Sequence, residues 1–151
     1  MITKEEIEKI LFEKIEGTNI FLVKIDFNQI AKDIKIFIDS IDGLDIKDCV
    51  SISRHFRSIL EERIEEYSME VSSPGVGEPL IVEQQIVKSV NKKLEITLIE
   101  DVKHIGILLE NNKEDLIIDE IVESKNTKKK EKEKLRVVIN KNLIKEIKQI
   151  I

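Results

Sequence analysis

The sequence has one cysteine, two prolines, five glycines and no tryptophan among its 151 residues. One cysteine cannot form an internal disulfide, which is typical of a reducing compartment. The low proline and glycine content excludes collagen-like and proline-rich linker proteins. A membrane-spanning helix needs about 18 consecutive apolar residues, and no such run occurs. Residues 1–6 turn acidic at once and are unlike a secretory signal. We therefore expect a cytoplasmic protein that is not membrane-bound.

Charge is abundant and unevenly distributed. Hydrophobic residues make up 41% of the sequence, enough for a core, and charged residues make up 36%. The net charge is −5, yet residues 1–82 hold 10 Lys and Arg against 17 Asp and Glu, and residues 83–151 hold 15 against 13. An acidic front half would repel phosphates across most of its surface, unlike a nucleic-acid clamp. A polyanion is expected first at the lysine run of the later half, which contains Lys128, Lys129 and Lys130.

Two helices are predicted in the first part of the chain. Thr3 and Glu6 have the spacing of a capping box, and Gly17 is placed to end the helix that follows. Asp45 is placed to cap the second helix, with Asp48 in its first turn, where a carboxylate favours the helix dipole. The apolar stripe of this second helix is Cys49, Ile52, Phe56, Ile59 or Leu60, and Ile64.

Alternating apolar residues predict three strands around these helices, over residues 19–27, 32–39 and 67–71. The order is therefore αββαβ, and helices packed on one face of a small sheet would bury these elements. The residues expected on the inner sides of the strands are Phe21, Val23, Ile25 and Phe27, then Ile34, Ile36 and Ile38, then Tyr67, Met69 and Val71.

Residues 72–79 interrupt this pattern and contain both prolines of the chain. Proline fixes φ, and glycine supplies the positive φ that turns require, so the segment is predicted to be a domain junction. Gly75 is the residue expected at positive φ. The predicted domains are residues 1–82, an α/β domain, and residues 83–151.

The second domain is predicted to be a small antiparallel barrel. After a short helical stretch over residues 83–90, several short strands follow within about 60 residues, which is typical of small barrels. Residues 111–113 are a plausible hairpin turn, and the polar run over residues 125–134 is expected to be a mobile loop. Asn140 or Asn142 is predicted to cap a last short helix that carries Leu143, Ile144 and Ile147.

No residue pattern indicates catalysis, a cofactor or a metal. Cys49 and His55 are six residues apart and point to different sides of a helix, while His104 lies far away in the sequence. Cys49 is more simply a small core residue. The stretch from Gly75 to Gly77 lacks the third glycine of a dinucleotide loop and the lysine of a phosphate loop. A turn is the better interpretation.

Signals for nucleic-acid binding are weak. Arg54, His55 and Arg57 form a small basic patch on the second helix, which could contact RNA or could simply be a solvated helix face. The lysines at 128–130 are likewise either a phosphate contact or a solubilising loop. From the residues alone, the sequence indicates a two-part cytosolic binding protein.

The segment at the junction resembles a known family. Residues 67–75, Tyr-Ser-Met-Glu-Val-Ser-Ser-Pro-Gly, followed by Pro79 and Leu80, are similar to the signature of the ribosome maturation factor RimP family. Residues 38–49, which end in the Asp-Cys start of the second helix, also resemble that family, as do Ser53 and Arg54. The resemblance is dense over residues 33–80. Its motif residues are Glu70, Val71, Ser72, Ser73, Pro74, Gly75, Pro79 and Leu80.

The resemblance implies an α+β protein with an N-terminal αββαβ domain followed by a small SH3-like β-barrel domain. It also implies a non-catalytic assembly factor that binds the immature small (30S) ribosomal subunit through a ribosomal protein and nearby ribosomal RNA. Such a factor uses no cofactor, and we expect a monomer when it is free. Glu78 departs from the family, which usually has an arginine there, and this reverses a charge.

Two other functions remain open from the sequence. A general RNA-binding module would use the same kinds of small domain without a role in ribosome assembly. A small hydrolase would need a buried pair of carboxylates whose pKa values are strongly split. Steep weakening of binding with salt, without preference for one particle, would favour the RNA-binding module over the assembly factor.

Overall fold

A computed structural model describes residues 1–123 and 132–151, and the side chains of residues 122–134 are outside the description. The chain divides into two compact units, Met1–Pro74 and Gly75–Ile151. The division therefore falls shortly before the predicted boundary at residue 82. The reason is that the intervening segment pairs with the second unit, where the Leu80 N–H donates to the Ile147 carbonyl over 2.8 Å.

The first unit is a three-stranded sheet with two helices, in the predicted αββαβ order. Its strand order is β1-β2-β3, in which β1 and β2 are antiparallel and β2 and β3 are parallel. A short 3-10 helix, Glu61–Ile64, follows the second helix. The elements are α1 (Lys4–Ile15), β1 (Ile20–Asn28), β2 (Asp33–Ser40), α2 (Ile46–Leu60) and β3 (Ser68–Ser72).

Both helices begin where the sequence predicts. The Thr3 hydroxyl accepts the Glu6 N–H over 3.2 Å, but Glu6 does not complete the capping box. Its carboxylate instead accepts two hydrogen bonds of 2.7 Å from the guanidinium of Arg63. Asp45 and Asp48 form a complete capping box at the start of α2. The first unit therefore has one helix fixed by local caps and one also fixed by a long-range ion pair.

The core of the first unit lies between one face of the sheet and the two helices. Ile34, Ile36 and Ile38 of β2 are at most 1% exposed, as the alternation predicts. On α2 the stripe continues to Leu60 and not to Ile59, which is 46% exposed. Buried residues of α1, β2 and α2 belong to this same core, so both helices pack against the sheet.

Phe21 and Val23 of β1 are buried, as the alternation predicts, but the side of the strand on which they lie differs from the prediction. A β-bulge between Leu22 and Lys24 shifts the register with β2. Ile20 and Leu22 pack against the core before the bulge, and Ile25 and Phe27 do so after it. Phe21 and Val23 therefore do not share a side with Ile25 and Phe27. A bulge places one extra residue in one strand, so strict alternation fails across it.

The second unit contains one helix and a five-stranded antiparallel sheet of order β7-β6-β5-β4-β8. The described strands do not close this sheet, so the predicted SH3-like barrel is not confirmed, whereas the α+β class with two sheets is. The elements are α3 (Glu83–Lys88), β4 (Lys93–Leu98), β5 (Lys103–Asn111), β6 (Asp115–Glu123), β7 (Lys132–Asn140) and β8 (Ile144–Gln149).

Two predictions about the end of the chain are corrected. The run over residues 125–134 is not all loop, because β7 begins at Lys132 and pairs with β6. The predicted last helix is wrong: Asn140 caps only a 3-10 helix, Lys141–Leu143, and β8 follows. The apolar residues at 143, 144 and 147 have helical spacing. Pairing of β8 with β4, which buries Ile147, overrides that local pattern.

Gly106 marks the closest approach of two strands in this sheet. It lies on β5 opposite Glu120 of β6. A Cβ atom at this position would lie 2.8 Å from the Glu120 Cα and closer still to the Asp119 carbonyl oxygen. Both obstacles are backbone atoms, so only glycine fits between these strands.

Gln85 fixes the chain where it enters α3. Its side chain is 5% exposed, and its Oε1 accepts the N–H groups of Ile81 over 2.7 Å and Val82 over 3.1 Å. The segment that follows the junction is thereby tied to the helix. No helix in the described part of the chain is long and apolar enough to cross a membrane.

Replacing Gln85 by leucine should lower the free energy of unfolding by about 1.5 kcal/mol, because two backbone donors lose their acceptor. Urea denaturation followed by circular dichroism measures this loss. The neighbouring Gln84→Leu is the matched control, since Gln84 is exposed and its loss should change stability by less than about 0.5 kcal/mol. Equal effects of the two substitutions would contradict a special role for the Gln85 oxygen.

Candidate functional site

The residues of the junction motif are divided between the two units. Glu70, Val71 and Ser72 belong to β3, and Val71 packs on the core of the first unit. Ser73 and Pro74 complete that unit. The motif therefore includes the last strand of the first sheet together with the covalent connection that leaves it.

The remaining motif residues belong to the second unit. Gly75 opens it, Pro79 forms an isolated bridge with Lys148 of β8, and Leu80 packs against the core of the second sheet. The motif thus anchors the connection in both units by backbone pairing and apolar packing. These contacts are structural.

The glycine at positive φ in the junction is Gly77 and not Gly75. The Glu78 N–H donates to the Gly75 carbonyl over 3.2 Å, which closes a turn over residues 75–78. Gly77 has φ of +88° at the third position of this turn, where a type II turn requires positive φ. Glu78, at the position where the resemblance implies an arginine, is exposed at the end of the turn.

A mixed basic and apolar surface lies along the exposed face of α2. Ile46 is 81% exposed and Val50 is 42% exposed, one turn apart. Lys47, Arg54 and Arg57 are exposed on the same helix. Residues three or four apart share a helix face, so these five side chains form one surface, which we call the α2 patch.

The α2 patch is the strongest candidate for a binding site in the first unit. Four of its residues and Ser51 line a shallow groove of about 390 Å³. Three cations stand on one helix of a unit that is otherwise acidic. The patch can attract an anionic partner through charge, and its two aliphatic side chains can exclude water from the contact.

The sequence predicted part of this patch. Arg54, His55 and Arg57 are the expected basic residues; both arginines are exposed on α2, whereas the Nε2 atom of His55 is buried. Lys47, Ile46 and Val50 were not predicted as members of a site. The positions 46, 50, 54 and 57 follow helical spacing, so a plot of the outer face of α2 would have found them.

Cys49 and His104 each contact other residues of the fold. Cys49 packs against the first core, where burial raises the pKa of its thiol and the Asp48 carboxylate raises it further. A protonated thiol is a weak nucleophile. The Nδ1 atom of His104 lies 2.8 Å from the Glu120 carboxylate across β5 and β6.

His55 stands apart from these groups. Its Nε2 atom is buried and has no hydrogen-bond partner in the described part of the chain. No cluster of three or more metal-ligating side chains occurs among the described residues.

The predicted contact at Lys128, Lys129 and Lys130 lies outside the described residues. It therefore stays a prediction from the sequence. Arg54, the other residue predicted to contact RNA, lies in the described part of the chain.

Known proteins match this chain over its first part and into the second. Residues 10–77 match the RimP N-terminal domain. A ribosome maturation factor RimP from Christiangramia forsetii is 38% identical over 95 residues, which cover 62% of this chain and 61% of that protein. The chain thus aligns with a little under two thirds of that relative.

Two longer alignments support the same family. The ribosome maturation factor RimP of Porphyromonas gingivalis strain W83 is 32% identical over 109 residues, which cover 72% of this chain and 71% of the relative. The protein of that name from strain ATCC 33277 is 31% identical over the same length. The region matched by the family model contains α2 and the junction motif as far as Gly75. On this evidence the chain belongs to the ribosome maturation factor RimP family.

Proposed function

We propose that the protein is a non-catalytic cytoplasmic factor for maturation of the small ribosomal subunit. It binds an immature subunit through a ribosomal protein and nearby ribosomal RNA, and it is a monomer when free. The observation that carries the proposal is membership of a family whose matched relatives are named ribosome maturation factors. The α2 patch supports it, since it offers an anionic partner a cationic surface.

Two carboxyl groups in the described part of the chain have lowered pKa values, and both shifts have structural causes. The Arg63 guanidinium holds the pKa of Glu6 below its usual range, and Asn111 and Lys141 do the same for Glu83. A general acid needs the opposite shift, a carboxyl whose pKa is raised toward neutral pH. These carboxylates stabilise the fold by holding cationic and amide groups.

We propose that the α2 patch contacts ribosomal RNA phosphates through Arg54, Arg57 and Lys47. Guanidinium groups bind phosphate oxygens with two parallel hydrogen bonds, so arginines are well suited to this contact. The lysines at 128–130 are proposed as a second RNA contact. They lie in the second half of the chain, which is mildly basic, whereas the first half is acidic.

We also propose that the second unit is SH3-like. Four consecutive strands form a meander, a 3-10 helix follows, and the last strand returns to pair with the first strand of the set. This order and the two register shifts, which bend strands, support that assignment.

The experiment that tests the function is sedimentation of tagged protein with cell extract. The protein should comigrate with free small subunits and be absent from complete ribosomes. A double Arg54→Gln/Arg57→Gln variant should bind the purified immature subunit about tenfold more weakly. The slope of log affinity against log salt should fall by roughly 1.5, since each phosphate contact contributes about 0.7–0.9.

The matched control is Lys14→Gln/Lys35→Gln, which removes the same charge from exposed positions outside the patch. Its affinity should stay within about twofold of the unchanged protein. Equal losses for both variants would show general charge attraction and contradict an RNA contact at the patch. Binding to free RNA and to every ribosomal particle alike would favour the general RNA-binding module.

A further inference from the structure

A second exposed face lies on α1, and its chemistry is opposite to that of the α2 patch. Phe12 is 49% exposed on a helix whose Ile7, Ile10, Leu11 and Ile15 are buried. It is a large aromatic side chain that the first unit could have buried and does not. With Lys9, Glu13, Ile15 and Glu16 it lines a shallow groove of about 540 Å³.

Carboxylates stand one turn before and one turn after this aromatic ring. Glu8 precedes Phe12 by four residues on α1, so these two share a helix face, and Glu16, the residue that caps the end of the helix, lines the groove with Phe12. We call this set the α1 face. In the described part of the chain, no ion pair is formed by Glu8, Glu13 or Glu16, whereas Glu6 on the same helix is held by Arg63. The carboxylates of the α1 face are therefore open to an outside partner.

We infer that the α1 face binds an extended protein segment rich in arginine and lysine. An arginine over an exposed aromatic ring within about 6 Å is favourable, and flanking carboxylates pair with the next cations of the segment. Charge complementarity selects this occupant, since RNA phosphates would be repelled by Glu8 and Glu16 and an apolar partner would leave these carboxylates desolvated. The inference rests on the proposed function, to which it adds the surface that meets a basic protein.

The probe is a fluorescein-labelled peptide of alternating arginine and glycine, whose binding to the full-length chain is measured by fluorescence anisotropy at low salt. Phe12→Ala should weaken binding about fourfold, in line with an exposed cation–π contact. Glu8→Gln/Glu16→Gln should weaken it by a similar factor. Lys9→Gln removes a cation from the groove and should strengthen binding about twofold.

The control is Glu61→Gln/Glu65→Gln, which makes the same charge change at exposed positions outside α1 and should leave affinity within about twofold. A similar loss in this control, or unchanged binding of Phe12→Ala, would overturn the inference. So would a peptide that does not bind the unchanged protein. Circular dichroism of each variant verifies the fold, and Phe12→Leu provides a second variant that keeps the apolar contact but lacks the ring.

The outcomes separate this inference from the function on which it rests. If the protein sediments with small subunits but the α1 variants bind the peptide as the unchanged protein does, only the α1 face is wrong. If the protein does not sediment with small subunits, the proposed function is wrong whatever the peptide shows. A concentration-dependent mass in sedimentation, lost in Phe12→Ala, would identify a second copy of the chain as the occupant and overturn the basic segment.

Discussion

A Gly106→Ala variant should unfold with a free energy about 3 kcal/mol lower than that of the unchanged protein, an overpacking cost at the upper end of the usual range. The added methyl group would meet backbone atoms of Asp119 and Glu120, which cannot rotate away as a side chain could. β5 would have to move away from β6, and the ladder between them would weaken. Urea denaturation monitored by circular dichroism measures the loss.

The matched control for that substitution is Gly75→Ala. Gly75 is not at positive φ, and its added Cβ would have an ordinary contact of 3.7 Å with the Glu78 side chain. The control should therefore be neutral or slightly stabilising, by less than about 1 kcal/mol, since alanine restricts the unfolded chain. A Gly75→Ala variant as unstable as Gly106→Ala would show that the junction, and not the strand spacing, is the sensitive backbone feature.

The second large effect is expected where the second unit begins. The free energy of unfolding of a fragment of residues 75–151 should exceed that of a fragment of residues 83–151 by about 3 kcal/mol. This difference combines the partial burial of Leu80 with one backbone hydrogen bond. Leu80 packs against the second core, and its N–H donates to the Ile147 carbonyl. Thermal unfolding of both fragments measures the difference.

A third fragment isolates the cause. Residues 75–151 with Leu80→Ala should lose about 2 kcal/mol through the missing apolar contact while keeping the backbone bond. Equal stability of the fragments beginning at 75 and 83 would contradict the structural boundary and favour the boundary at residue 82. The comparison thus decides between the two positions by measurement.

The sequence predicts those elements whose signals are local. The caps at Thr3 and Asp45, and the alternation of Ile34, Ile36 and Ile38, follow from short-range rules, and the structure confirms them. The bulge after Leu22 has no local signature, because Phe21 to Phe27 alternates without interruption. The bulge is defined only by the pairing of β1 with β2. The alternation of apolar residues alone could therefore not show which of them face the core.

Long-range pairing also explains the errors at the end of the chain. The apolar residues around Ile144 have helical spacing, but pairing with β4 makes this segment the strand β8. The expectation of positive φ at Gly75 failed for a related reason, since the turn geometry depends on which carbonyl accepts the Glu78 N–H.

The candidate site was predicted in part. Arg54 and Arg57, three residues apart on a predicted helix, were recognisable as basic residues from the sequence alone. The exposure of Ile46 and Val50 depends on which side of α2 faces the sheet, and that is fixed by packing. No role was predicted for Phe12, and its exposure likewise depends on which side of α1 packs against the core.

The parallel pairing of β3 with β2 has a consequence for the order of folding. β1 and β2 are neighbours in sequence and form a hairpin whose ends meet early. The first pair of the parallel ladder joins Asp33 to Ser68, so α2 must close across the sheet before β3 can dock. Pairing strands this far apart in sequence is slower than making a hairpin, because the entropy of closing the loop is lost before the contacts form. Until then β2 has an open edge, which is the kind of surface on which nascent chains aggregate. The junction motif includes residues of β3, and docking of β3 covers this open edge of β2.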